Sequence, residues 1–146
     1  MQIERLTVEP SDRIVVSDLR TYANISDTTL DNMLNGFLST ALTAVEKYMN
    51  ISLRVATYRI YNDVKEIQLY YPPIASITSV QDPDGNNVTY TQKGNYVILD
   101  AAQEVVVEYA TTPNIVSDVK TAVLRYAAAL YDGQDARTLR DILMTI

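Results

Sequence analysis

Two carboxylate pairs, Asp82 with Asp84 and Glu104 with Glu108, have spacings that could do chemistry. As an acid/base pair, one carboxyl would donate a proton while the other received one across a cleft. Asp82, Asp84 and Asn86 also alternate in the manner of calcium ligands. An EF-hand loop, however, needs glycine at its sixth position and glutamate at its twelfth. Counted from Asp82, Gly85 is fourth and Lys93 is twelfth. "DPDGNN" therefore reads as a turn, with Pro83 and Gly85 placed for a type I turn and a following left-handed residue. Glu104 and Glu108 fall in a strand pattern that accounts for them without catalysis. With no histidine and no cysteine, the Ser-His-Asp and Cys-His mechanisms are excluded, as are the usual zinc, haem and iron-sulfur ligand sets. We expect no enzyme, no catalytic residue, no metal and no cofactor.

The 146 residues suit one domain, since a chain of this size buries roughly 68% of its unfolded surface. Without cysteine there is no disulfide framework. Met1 to Pro10 carries Glu4, Arg5 and Glu9 in place of an apolar run, so neither a signal peptide nor a membrane span is expected and the chain should fold in a cytoplasm. A net charge of -6 with scattered lysine and arginine argues against a phosphate-gripping surface. An acidic surface can still face DNA without adhering to it.

The elements that must position these groups change period along the chain. "VSDLRTYAN" predicts a helix of about two turns, with Val16 and Ser17 as N′ residue and N-cap, Leu19, Tyr22 and Ala23 on one face, and Asn24 at the end. "SDTT" offers fresh capping oxygens for a long helix over 28–49. Its stripe is Leu30, Met33, Leu34, Phe37, Leu38, Ala41, Leu42, Val45 and Met49, with Asp31 and Lys47 agreeing with the dipole. After Asn50 the runs "LRVATYRIY", "EIQL", "SITSV", "NVTY", "YVIL" and "EVVVEY" alternate with period two and read as an antiparallel meander over 51–110. "KGN" at Lys93 to Asn95 closes a hairpin. Pro113 and Ser117 open a further helix over 115–132, with Val119, Ala122, Val123, Tyr126 and Leu130 on one face, Ala127 to Ala129 widening it, and Gly133 as the C′ residue. In the tail, 134–146, Ala136, Leu139, Ile142, Leu143 and Ile146 form one rough stripe. That stripe either docks on something or folds back on the core. The fold class is α+β: N-terminal short helix and long helix, central antiparallel β-meander, C-terminal helix and apolar tail.

Within the meander, "LYYPPIASITSV" breaks a strand with Pro72 and Pro73. Proline cannot donate to a ladder and forces its predecessor to be extended, so Tyr71 to Pro73 mark a sheet corner. Tyr70 and Tyr71 are then expected at an exposed bend. Among eleven tyrosines and one phenylalanine, that pair is a candidate interface, because tyrosine combines contact area with a polar tip.

Taken in order, "VSDLRTYANISDTTLDNML", "VEKYMNISL", "LYYPPIASITSV", "EVVVEYA" and "NIVSDVKTAVLRYAAALYD" resemble the head-to-tail connector (adaptor, head-completion) proteins of long-tailed bacteriophages, in the subgroup with a β insertion between the helices. The resemblance runs from Val15 to Asp132 as a single connector domain within 1–146. Two positions depart from it: the family's glycine near Asn50 is absent, and its Arg-Glu pair after the last helix is replaced by Asp132, Gly133 and Gln134. The resemblance implies a structural virion protein that forms a ring at the capsid portal vertex, joins head to tail and extends the DNA channel. The implied partners are the portal protein, a tail-side neck or tail-completion protein, and further copies of itself in a homo-oligomeric ring, a dodecamer by analogy. Double-stranded DNA would be passing cargo, and no membrane is involved. The implied location is the virion neck, with the host cytoplasm during assembly. Arg137, Leu139, Arg140, Ile142, Leu143 and Ile146 are the candidate docking surface for the portal or a neighbouring subunit. The alternatives are a tail-completion or second neck-ring protein, or a monomeric β-rich binding module.

Overall fold

The computed structural model describes residues 1–146. Along the chain lie β1 (Gln2–Val8), α1 (Val16–Ala23), α2 (Asp31–Met49), β2 (Ala56–Asn62), β3 (Glu66–Gln68), β4 (Ile74–Gln81), β5 (Tyr90–Lys93), β6 (Tyr96–Leu99), β7 (Val105–Thr111), α3 (Ser117–Tyr131) and α4 (Ala136–Leu143). The class is α+β, as expected. No helix is long and apolar enough to cross a membrane. The chain divides into two compact units, each assembled from two separate segments: a β unit of Met1–Glu9 with Arg54–Asn114, and a helical unit of Pro10–Leu53 with Ile115–Ile146.

In the helical unit, Leu34, Leu38, Ala41, Leu42 and Val45 of α2 meet Leu19 of α1 and Val119, Val123, Leu124 and Ala127 of α3. Phe37 and Tyr131 add an edge-on ring contact at 6.5 Å. The predicted stripe is right at its centre and too wide at its margin. Met33 is 45% exposed, because it sits a full 100° helical step from Leu34 and so beyond the buried arc. Tyr22 is also exposed, since the eight-residue α1 buries only Leu19. Glu46, unremarked in the sequence, is 1% exposed. Its Oε2 accepts the Leu53 N–H at 3.0 Å, fixing the chain where it leaves α2.

Three helices end in the same reverse turn. Asn24, Asn50 and Gly133 have φ of 57°, 52° and 72°. The next amide in each case reaches back five residues: Ile25 to Arg20, Ile51 to Glu46 and Gln134 to Ala129. This is the Schellman arrangement, and asparagine is the usual non-glycine occupant of its left-handed position. Asn50 thus takes up the left-handed conformation that glycine most often supplies at a helix end. At the other end of α1, the N-cap is Val15, one residue before the predicted pair. The Val15 N–H is held by Asp18 Oδ2 at 2.9 Å. Asp18 also pairs with Lys120 of α3 at 3.4 Å, and Arg20 with Asp31 of α2 at 3.1 Å. Partly exposed pairs of this kind orient helices more than they stabilise them.

Gly36 lies on the outward side of α2, and a Cβ built there meets no atom within 4 Å. Gly36→Ala should therefore raise stability by about 0.5–1 kcal/mol through helix propensity alone. Urea denaturation of the two proteins measures this, and a lower midpoint for the alanine variant would contradict it.

The β unit contains two sheets, β1-β2-β7-β4 and β3-β6-β5, antiparallel throughout. They share one core in which Ala56, Tyr58, Ile60, Val105, Val107 and Tyr109 of the first meet Ile67, Val97 and Leu99 of the second. Alternation is clean on β2 and β7, where odd and even positions part to opposite faces. The connectivity departs from a simple meander. β3, β5 and β6 pair in their own sheet, so β7 inserts between β2 and β4. The "DPDGNN" and "KGN" turns form as predicted, with Gly85 at φ 85° and Gly94 at φ 58°. β1 is an addition the sequence did not announce. Six of its seven residues are exposed, and it is held chiefly by its ladder to β2.

Candidate functional site

The docking candidate at the chain's C-terminal end is a helix with two different faces. Gly133 turns the chain out of α3, and Asp135 Oδ1 then accepts the Thr138 N–H at 2.9 Å to cap α4. Ile142 is buried at 4% exposure, Leu139 and Leu143 are half-buried, and Leu143 packs on the helical core. Arg137, Arg140 and Ile146 are exposed, as are Ala136 and Met144. The predicted stripe is thus divided: Leu139, Ile142 and Leu143 face inward, while Ala136 and Ile146 do not. Position along the helix explains the split, since Ala136 is its first residue and Ile146 lies past its last turn.

Tyr70 and Tyr71 are half-buried, which corrects the expected exposed bend. The ring of Tyr71 stacks on Tyr58 at 5.1 Å and 25°, and Tyr58 stacks in turn on Tyr109 at 5.5 Å and 24°. The Tyr109 hydroxyl donates to the Tyr70 carbonyl at 2.9 Å, and burial pushes that phenol's pKa well above its ordinary value. Tyr71 takes φ 61°, which corrects the extended conformation expected of it before Pro72, and the Pro72-Pro73 bond is cis. The corner carries the chain from the second sheet, after β3, to the edge of the first, at β4.

In each acidic pair one carboxylate is already held by hydrogen bonds. Asp82 Oδ1 accepts the amides of Asp84 and Asn86 at 3.0 and 2.9 Å, and Oδ2 accepts from the Asn86 side chain at 3.3 Å. Glu108 is bound by Arg59 at 2.7 and 2.9 Å, and Arg59 also approaches Glu4 at 4.0 Å. These three residues lie directly opposite one another on β1, β2 and β7, forming a cross-strand charge row on the outer face of the sheet. The Glu108 and Tyr61 hydrogen bonds, in that order, raise the already high pKa of Arg59.

Backbone amides hold the carboxyls of Asp82 and Asp135 below their ordinary 3.8: the Asn86 amide is the largest cause for the first and the Thr138 amide for the second. A carboxyl depressed on folding stabilises above its unfolded pKa, and that contribution fades as pH falls through the folded value. The thermal midpoint should accordingly hold from neutral pH to about pH 5 and drop below about pH 4. Asp135→Asn, which keeps a capping oxygen but cannot titrate, should make the drop shallower; an identical acid profile would refute the assignment.

One feature had no sequence signal. Met1, Gln2, Tyr61, Asn62, Asp63, Pro83, Glu104, Val105 and Val106 line a groove of about 540 Å³ at one end of the β unit. It is built from four chain segments that only the β1-β2-β7-β4 ladder brings together. Its walls are largely apolar, and its charged side chains, Asp63 and Glu104, are both acidic, beside the amino terminus at Met1.

No protein-family model matches the chain, and no curated protein matches it in sequence. Solved structures do match its fold. A chain in the neck of the empty gene transfer agent (GTA) particle, computed with C6 symmetry, superposes with a TM-score of 0.71 at 17% identity, over 90% of this chain and 84% of that one. A chain in the neck of the native GTA particle, computed with C12 symmetry, gives 0.70 at 18%, over 91% and 84%. The virion of the native particle gives 0.69 at 16%, over 90% and 84%. The fold of this protein is therefore one found in the neck of a gene transfer agent particle.

Proposed function

We propose that this protein is a structural, non-enzymatic neck component of a phage-like virion. Both units of 1–146 act together as one connector protomer, and copies form a ring at the portal vertex, join head to tail and continue the DNA channel. The observation that carries this reading is the superposition, over nine-tenths of the chain, on proteins from necks computed with C6 and C12 symmetry. A twelvefold ring matched to a portal fits those symmetries. The connector motifs from Val15 to Asp132 support the reading independently. Its partners are then the portal on one side and a tail-side neck or tail-completion protein on the other, with DNA as passing cargo. The net charge of -6 suits a wall past which DNA slides. The outward face of α4, carrying Arg137 and Arg140, is the contact surface for the portal or a neighbouring copy, and the Tyr70–Tyr71 corner is a second candidate interface.

Native mass spectrometry of the protein mixed with the portal ring of its own particle tests the assignment. A complex with a fixed, symmetry-matched number of copies is expected. A portal left bare beside folded protein would overturn the portal position, and binding to a preassembled portal-adaptor complex would then place the chain in a second neck ring.

A further inference from the structure

We infer that copies of this protein associate head-to-tail by seating the outward face of α4 in the acidic groove of the next copy's β unit. The inference deepens the ring reading by naming the lateral contact, and it rests on that reading only for the closure of the ring. Arg137, Arg140 and Met144 follow one another at three- and four-residue intervals, so they form a single exposed stripe about 10 Å long. Neither guanidinium has an ion-pair partner within the protomer, and Met144 is 66% exposed. Asp141 flanks the stripe and borders a different recess, which it lines with Arg125. The groove is complementary in kind: apolar walls from Met1, Tyr61 and Val106, and the carboxylates of Asp63 and Glu104, likewise without ion pairs.

The stripe belongs to the helical unit and the groove to the β unit. The contact therefore joins two different patches and leaves each copy with one patch of each kind still open. Such a heterologous contact propagates until rotation closes it into a ring. The opposite charges steer the encounter and set its register, while the methionine and the groove walls supply the apolar area.

The absence of native cysteine makes a cross-linking test clean. In an Arg140→Cys/Glu104→Cys protein, a bismaleimide of about 10 Å reach, comparable to the arginine-carboxylate pair it replaces, should give a ladder running past the dimer. Each single-cysteine variant can reach only the dimer. Adding Arg137→Glu should collapse the ladder, and adding Asp63→Lys on top should restore it; these residues are exposed, and circular dichroism confirms that each variant is folded. A double variant that stops at dimer, links to itself as monomer, or is indifferent to the charge swaps would overturn the inference. Portal binding without a ladder sinks the lateral contact alone. A ladder without portal binding sinks the portal position and leaves the contact standing.

Discussion

Replacing Tyr58 by alanine should destabilise the β unit by about 3–5 kcal/mol, the usual cost of emptying a large aromatic site in a packed core. Tyr58 is 3% exposed and is the middle ring of the Tyr71-Tyr58-Tyr109 stack. Its removal deprives both outer rings of their partner. The loss is largest at Tyr71, whose φ of 61° is costly for a side chain with a Cβ and persists only where packing holds it. Two readouts should move together: the urea midpoint falls, and limited proteolysis begins at the 69–74 corner before the rest of the β unit is attacked. Tyr109→Phe keeps its ring and loses the hydroxyl that donates to the Tyr70 carbonyl, so it should cost only about 1 kcal/mol. Equal losses in the two variants would mean that the hydroxyl network, and not the stack, holds the corner.

That corner also shows how far the residues alone could be read. Pro72 and Pro73 marked a break between strands because their chemistry is local: a missing donor and a fixed φ. Where the chain went after the break was not local. The tyrosines looked exposed because neighbouring β3 and β4 looked like successive strands of one meander, whereas the corner crosses between sheets and folds Tyr71 back onto β2. The helix ends at Asn24 and Gly133 and the turns at Gly85 and Gly94 were legible for the same reason as the prolines, since left-handed positions select a few residue types. The strand β1 was not, because an edge strand with a single half-buried residue has no alternation to read. Glu46 was hidden by its type: a charged residue on an apolar stripe marks no special site until the Leu53 amide is seen beside it. The groove lay beyond reach entirely, since Met1, Tyr61, Pro83 and Glu104 meet only through strand pairing. The docking candidates on α4 were recognised as a set but could not be sorted into faces, because eight residues of helix give too few turns to fix which apolar side chains point inward.

Sorting those faces gives the second large effect. Ile142→Ala should cost about 2–4 kcal/mol of folding stability, because the side chain is 4% exposed and its loss leaves a cavity under α4. Arg140→Glu, on the outward face of the same helix, should leave the urea midpoint within about 0.5 kcal/mol of the parent. Assembly should show the reverse order when Ile142→Ala is assayed well below its unfolding midpoint. There α4 is still folded and still presents Arg137 and Arg140, so incorporation into a ring or a portal complex survives, while Arg140→Glu abolishes it. This contrast distinguishes two roles that deletion of 137–146 would confuse, since removing the segment takes away the inward anchor and the outward charges together. If Ile142→Ala loses assembly while remaining folded and Arg140→Glu retains it, the buried face of α4 must come off the core to make the contact. The docking surface would then be Leu139, Ile142 and Leu143, and the arginines would be ordinary solvent-facing charges.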